Sequence, residues 1–199
     1  DHAMAACADA DCVIQEAGGK GWTWNFYKPV IETALKRKLS IVAANVSTAD
    51  VFKIAREGLA AALSTEVLRD FQLDQPLDAA LFDKQKEAID QGHCHMLPPT
   101  AFKGMVNAQV ARDVWMAKTV REHAAHGLIL LAGNGHVRKD IGVYHWLGSA
   151  ERARTQALAY TEDEDEVPDS AVFDRNHRVE RVERDDPCEA FAHRPQVQT

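Results

Sequence analysis

Residues Gly127–Arg138 read GLILLAGNGHVR. The first half, Gly127 to Ala132, is apolar throughout, too short for a typical helix and without period-2 alternation. Such a run suits a strand buried on both faces, as in a parallel sheet. Gly133 and Gly135 follow at once, and His136 comes next. In open parallel sheets ligands bind just beyond the carboxyl ends of the strands. The glycines are expected to let the backbone turn sharply there and to leave room for a ligand. His136 then projects at the strand mouth, with Asn134 and Arg138 nearby as hydrogen-bond donors. A histidine so placed is either a packing residue or a ligand, and its position after a strand and two glycines favours the ligand. The run is not a P-loop, because the six-residue spacing and the Lys-Ser/Thr pair are missing.

Outward from this stretch, Leu39–Val46 (LSIVAANV) repeats the pattern of a short buried strand. Each run is preceded by a helical pattern. Pro29–Lys38 leads into the first, with Pro29 suited to a helix first turn, and a long helix from about Pro99 to His126 leads into the second. Helix–strand alternation predicts an α/β fold with a mainly parallel sheet and flanking helices. Ser47 to Asp50 resembles a capping box that opens a helix to about Leu63, with Val51, Ala55, Leu59 and Ala62 as its apolar stripe. Ser64–Leu77 reads as a polar connection ended by Pro76, and a further helix spans about Asp78 to Gln91, stopping at Gly92. Glu162–Asp169 reads as a solvated acidic loop, and Ala171–Arg184 holds enough apolar residues for a weak hairpin. Residues 1–160 are expected to form one domain, with 161–199 an acidic extension packing on it or trailing from it.

Composition narrows the classes. The chain has 199 residues, 46% hydrophobic and 27% charged, which excludes a disordered or collagen-like chain. No apolar run approaches the ~18–20 residues of a membrane helix. The net charge of −7 argues against a general nucleic-acid binder. Residues 161–189 carry 12 acidic and 4 basic side chains, so the rest of the chain is nearly neutral. The chain starts at Asp1 without the basic-then-apolar layout of a signal peptide, so a removed leader or a longer parent protein is expected. The four cysteines form no Cys-x-x-Cys pair; a Cys94–Cys188 bridge requires an oxidising compartment, and free thiols are the alternative.

Four further groups could carry chemistry. On the long helix, Phe102, Val106, Val110, Val114, Ala117, Val120 and Ala124 form an apolar face, and Gln109 and Asp113, one turn apart, fall beside or within it. A buried carboxylate must find partners. Either Arg112 or nearby backbone satisfies Asp113, or the pair borders a site. Gly92-His93-Cys94-His95-Met96 brings two imidazoles and a thiol together; His93 and His95 would share a face if extended, giving a metal pair, whereas a histidine at a helix C-terminus is the structural alternative. Trp22 to Tyr27 (WTWNFY) forms an aromatic cluster, either core or the wall of a flat apolar ligand such as a porphyrin, with Tyr27 as an iron ligand. Tyr144-His145-Trp146 repeats that chemistry. The order and spacing of the Ser-His-Asp, Gly-x-Ser-x-Gly and His-Glu-x-x-His enzymes are absent.

Taken together, WTWNFYKP (22–29), IVAANV (41–46), HCHMLP (93–98), AQVARDVWMA (108–117), Leu130–Trp146 and DPC (186–188) resemble the ChaN-like haem-binding family within the Tiki superfamily, in the family's order. The resemblance implies a three-layer α/β fold and a haem- or iron-linked role in the bacterial cell envelope, facing the periplasm and often as a lipoprotein. It implies that haem can lie between two copies, a homodimer. Gly133–His136 matches the second of the paired Gly-x-x-His motifs that hold metal in hydrolases of the superfamily. The first motif, Gly-Glu-x-His, is not matched here. Tyr144 stands where the family commonly has Pro, and His95 where it commonly has Gly.

The expected function is therefore non-enzymatic haem binding linked to iron uptake. His136 and Tyr27 are expected near the iron, Arg138 near a propionate, and Gly133, Asn134, Gly135, Trp24 and Tyr144 around the ligand. The alternative is a metal-dependent hydrolase, in which His136 holds a divalent ion and His93, Asp113 and Gln109 complete the site or orient a water.

Overall fold

The computed structural model describes residues 7–17, 23–162, 169–186 and 188–189. The chain divides into two compact units, residues 1–44 and 45–199. In the first, helix α1 (Ala10–Ala17) and helix α2 (Lys28–Lys36) flank a 3-10 turn at Trp24–Phe26, and Pro29 lies in the first turn of α2 as expected. A Cys7–Cys12 disulfide closes the start of α1. Lys28 Nζ reaches Asp11 at 2.7 Å, a surface pair that contributes little stability.

The second unit is built around one long helix. Its helices are α3 (Thr48–Glu57), α4 (Thr65–Asp70), α5 (Ala79–Gly92), α6 (Phe102–His123), α7 (Asn134–Val137) and α8 (Ser149–Arg152), followed by strands β1 (Leu158–Glu162) and β2 (Arg175–Val179). Three start on side-chain caps: Ser47 accepts from Asp50 N, Ser64 from Val67 N and Asp78 from Leu81 N. Each cap satisfies a backbone N–H that the first turn leaves unpaired. The Ser64 cap opens α4 inside the stretch read above as a polar connection. The first of these helices stops earlier than its apolar stripe suggested, because Gly58 adopts φ 94°.

Helix α6 matches the long helix of the sequence, and Phe102, Val106, Val110, Val114 and Ala117 are all buried. Helices α3 and α5 pack on it. Gly104 makes the α3 crossing close: a Cβ there would lie 2.4 Å from the Ala55 carbonyl oxygen.

The sheet departs from expectation. Among the described residues it has two strands, β1 and β2, paired in parallel with Tyr160 opposite His177. Leu39–Val46 and Gly127–Ala132 are not strands. A run apolar on both faces needs paired neighbours on its edges and cover on its faces. No described strand pairs with the second run, and Ile129 is 91% exposed. The hairpin expected within Ala171–Arg184 is replaced by β2, which pairs in parallel with β1 across an intervening stretch. This strand pair crosses residue 160, so the described part of 161–199 is built into the second unit. Of the acidic loop expected at Glu162–Asp169, residues 163–168 lie outside the described residues. Ala157, Ala159 and Phe173 form a small core beneath the pair, with Val137 of α7 packed against it. That contact fixes the one-turn helix carrying His136 to the strands.

Candidate functional site

His136 sits on α7, a single turn whose N-terminal neighbour is Gly133 in an extended conformation. Neither Gly133 nor Gly135 has a positive φ, and a Cβ at either would meet nothing within 4 Å. The sharp turn expected from them is therefore not what these glycines supply; the open space is. The glycine that the backbone requires is Gly142. A Cβ there would lie 2.1 Å from the His136 carbonyl oxygen and 2.8 Å from that of Arg138. Gly142 N also donates to Arg138 O at 3.0 Å. The chain thus folds back tightly beneath His136.

The imidazole of His136 reaches the long helix. Its Nδ1 lies 2.6 Å from Asp113 Oδ1, and the Gln109 amide end lies 2.9 Å from the same nitrogen. Nδ1 cannot both donate to the carboxylate and accept from an amide N–H. The 2.6 Å contact with a buried carboxylate decides the matter: Nδ1 carries the proton and donates it to Asp113. The Gln109 amide, whose ends exchange by a simple flip, then turns its carbonyl toward that N–H. The other ring nitrogen, Nε2, is left with its lone pair. The side chain of His136 is 20% exposed and that of Asp113 is 0% exposed.

Asp113 is held from a third side. Gln85 Nε2 donates to Asp113 Oδ2 at 3.3 Å and to the Ile141 carbonyl at 2.9 Å. Burial pushes the Asp113 carboxyl up from 3.8 to about 6, while His136, Gln85 and Arg112 oppose the shift. Burial likewise lowers the Arg112 guanidinium, with Asp113 opposing. The structure therefore brings Gln109, Asp113 and His136 together, and adds Gln85 and Ile141, which the sequence analysis did not single out. A signal for Gln85 was available. Leu81, Gln85 and Ile89 recur every four residues on α5, and all three are buried; a glutamine in the middle of an apolar stripe is a polar group with a required partner.

The remaining candidates are placed as follows. Asn134 Nδ2 donates to Tyr160 O at 2.7 Å, tying α7 to β1. Arg138 turns to Asp140, with Nε and Nη2 at 3.0 and 2.9 Å from its two oxygens. Burial alone would raise Asp140; the Arg138 pair outweighs it and holds the carboxyl below its ordinary value. Arg138, Asp140, Lys84 and Glu87 line a small polar cleft of about 210 Å³. Tyr144 is half-buried in the next turn, under the Arg152 guanidinium at 5.9 Å. His93 Nδ1 donates to the Ile89 carbonyl at 2.7 Å, so it caps the end of α5. Cys94 and His95 take positive φ and do not extend, which removes the shared face expected for His93 and His95. Cys94 is bridged to Cys188. Trp24 and Tyr27 belong to the first unit, where their rings meet edge to face at 6.0 Å. Among the described residues no group of three or more His, Cys, Asp or Glu side chains is placed to hold a metal ion; of His136, His93, Asp113 and Gln109, three converge around the His136 ring, while His93 bonds the Ile89 carbonyl.

Residues 1–147 match the family model described as "Haem-binding uptake, Tiki superfamily, ChaN". The chain belongs to the ChaN family. The match includes α6, the Gly133–His136 turn and the returning loop to Gly142. The ChaN-family fold is also that of a solved structure described as "Cofacial heme binding to ChaN of Campylobacter jejuni". The similarity has a TM-score of 0.62 and 19% sequence identity, covering 84% of this chain and 62% of that chain. This chain thus spans less than two thirds of that ChaN chain. No curated protein matches it. No described helix of this ChaN-family chain is long and apolar enough to cross a membrane.

Proposed function

We propose that the chain binds haem, with His136 Nε2 as the ligand to iron, as part of haem or iron uptake in the bacterial cell envelope. The observation that carries this reading is the 2.6 Å contact from His136 Nδ1 to buried Asp113. A neutral imidazole ligates through the nitrogen that bears no proton, and a carboxylate on the opposite nitrogen fixes which one that is. The residues fit such a group on three counts: the tautomer is set, the ring is partly exposed, and open space surrounds the Gly133 and Gly135 positions. Haem, when bound, would supply an iron that an imidazole nitrogen can ligate, and His136 is the residue that would hold it.

The chain's own residues do the rest. Asp113 accepts the Nδ1 proton and strengthens Nε2 as a donor of its lone pair. Gln109 restrains the ring from the side. Asn134 anchors the turn to β1. Leu128, Ile129 and Leu131, exposed just before the turn, offer apolar surface that a second copy of the chain would cover. We read haem as lying between two copies, which agrees with the cofacial haem binding described for the Campylobacter jejuni ChaN. Two disulfides, Cys7–Cys12 and Cys94–Cys188, support an oxidising compartment outside the cytoplasm.

Hemin titration tests the reading. The native chain is expected to give a saturable Soret shift, and His136→Ala to bind at least tenfold more weakly. A flat response of the native chain, or an unchanged affinity in His136→Ala, refutes it. Size-exclusion with light scattering follows the dimer, which should form on hemin addition.

A further inference from the structure

We infer that Gln85 is a positioning residue for His136: its amide holds both the Asp113 carboxylate and the loop beneath the histidine, and so selects the imidazole nitrogen that faces the ligand. The inference deepens the proposed function and rests on its assignment of His136 as the ligand.

Gln85 is 1% exposed and lies at the meeting point of three elements. Its own helix, α5, provides the position. Through Oδ2 of Asp113 it touches α6, and through the Ile141 carbonyl it touches the loop that returns from His136 to Gly142. One terminal NH2 group has two hydrogens, and both are used here. Glutamine therefore fits the position by number of donors as well as by length.

The consequence for His136 follows from the two carboxylate oxygens. Gln85 donates to Oδ2, and His136 donates to Oδ1. Gln85 thereby fixes the rotamer of the carboxylate group and keeps Oδ1 against Nδ1. With Oδ1 accepting, the ring proton is held on Nδ1, and Nε2 is free of one. Without the Gln85 amide the carboxylate group loses the contact that orients it, Oδ1 is no longer held against the ring, and the proton is free to pass to Nε2. A proton there blocks the ligand nitrogen. Among the described residues, the polar groups that act on Asp113 are His136 from α7, Gln85 from α5 and Arg112 beside it on α6, and Gln85 is the one that donates to Oδ2.

Gln85→Met tests this. Methionine keeps the length and the apolar character of the stripe and removes both hydrogens. The decisive readout needs no haem: two-dimensional spectra of 15N-histidine-labelled protein report which nitrogen of each ring carries the proton. In the ligand-free native chain at pH 7, His136 should be the Nδ1–H tautomer. In Gln85→Met a substantial Nε2–H fraction should appear, and hemin affinity should fall about tenfold. The double variant with Asp113→Asn separates positioning from simple packing. If Gln85 acts through Asp113, Gln85→Met adds nothing further to the tautomer shift in the Asp113→Asn background. A folded Gln85→Met chain with native tautomer, or additive effects in the double variant, overturns the inference. A tautomer shift in a chain that binds no hemin would leave the positioning role standing and remove the haem reading. Loss of hemin binding in His136→Ala, together with a native tautomer in Gln85→Met, would do the reverse.

Discussion

Asp113→Asn separates what the buried carboxylate costs from what it does. The carboxyl titrates at about 6 in the folded chain, against 3.8 for an ordinary aspartate, chiefly because burial disfavours its charged form. At 1.36 kcal/mol per unit, the folded state gives up about 3 kcal/mol to keep this group ionised above pH 6. The sign follows from proton binding. Between pH 3.8 and 6 the folded chain holds the proton that the unfolded chain has released, so this group's contribution to stability falls as pH rises through that window. Below 3.8 both states are protonated, and the penalty is absent.

Asparagine carries no such penalty, and it keeps the hydrogen bonds in a changed sense. Its carbonyl accepts from Gln85 as before. Its NH2 faces His136 Nδ1, which must now accept, so the ring proton is forced onto Nε2. The variant should therefore be at least as stable as the native chain at pH 7.5, by up to about 3 kcal/mol, and close to it at pH 4. Its hemin affinity should fall by about 10- to 100-fold. Urea unfolding at pH 4, 5, 6 and 7.5, taken as the native-minus-variant difference, cancels the titrations that the substitution leaves untouched and reports Asp113 with its hydrogen-bond partners. A difference that stays constant across that range refutes the account of the buried carboxylate. Native hemin affinity in the variant refutes the account of the tautomer.

Three other perturbations have defined outcomes. Gly142→Ala places a Cβ 2.1 Å from the His136 carbonyl oxygen, a backbone atom that cannot give way cheaply, so at least about 2 kcal/mol of stability should be lost, seen as a Tm lower by several degrees; an unchanged Tm would show that the loop is looser than described. Cys188→Ser opens a loop of 94 residues and should cost about 4 to 5 kcal/mol in the chain-entropy model, measured by calorimetry in a Cys7→Ser/Cys12→Ser background so that one bridge changes at a time. Ile129→Asp alters a side chain that is 91% exposed, so the monomer's unfolding free energy should move by no more than about 0.5 kcal/mol, while hemin-induced dimerisation should be lost; a loss of several kcal/mol would place Ile129 in a core.

Helices α2, α3, α5 and α6 were legible in the sequence because their signals are local, whereas the shorter α1, α4, α7 and α8 were not read. Ser47 and Asp78 cap the first turns they precede, Pro29 enters a helix where its missing N–H costs nothing, and the apolar face from Phe102 to Ala117 repeats at the helical period. The strands were not legible in the same way. Runs such as Leu128–Leu131 report that a segment is apolar, but whether it becomes a strand depends on neighbours that pair with its edges, and pairing is set by distant residues. Arg175–Val179 shows the converse, since a polar stretch became a strand because β1 offered it an edge. The candidate site divides along the same line. His136, Asp113 and Gln109 were each visible as polar groups in apolar or glycine-rich settings, yet only the fold shows that a helix and a loop 23 residues apart along the chain converge on one nitrogen. The glycines illustrate how a correct residue type can carry the wrong reason: Gly133 and Gly135 leave space, whereas Gly142, which carries no motif, is the one the backbone needs. A buried carboxylate with three polar neighbours is expensive to maintain, and at position 113 it bonds Gln85 of α5 and His136 of α7. On the proposed function its presence is accounted for by the imidazole proton it holds on Nδ1, and the hemin affinity of Asp113→Asn, set beside its stability, is the measurement that separates a role at Nε2 from a role in the helix.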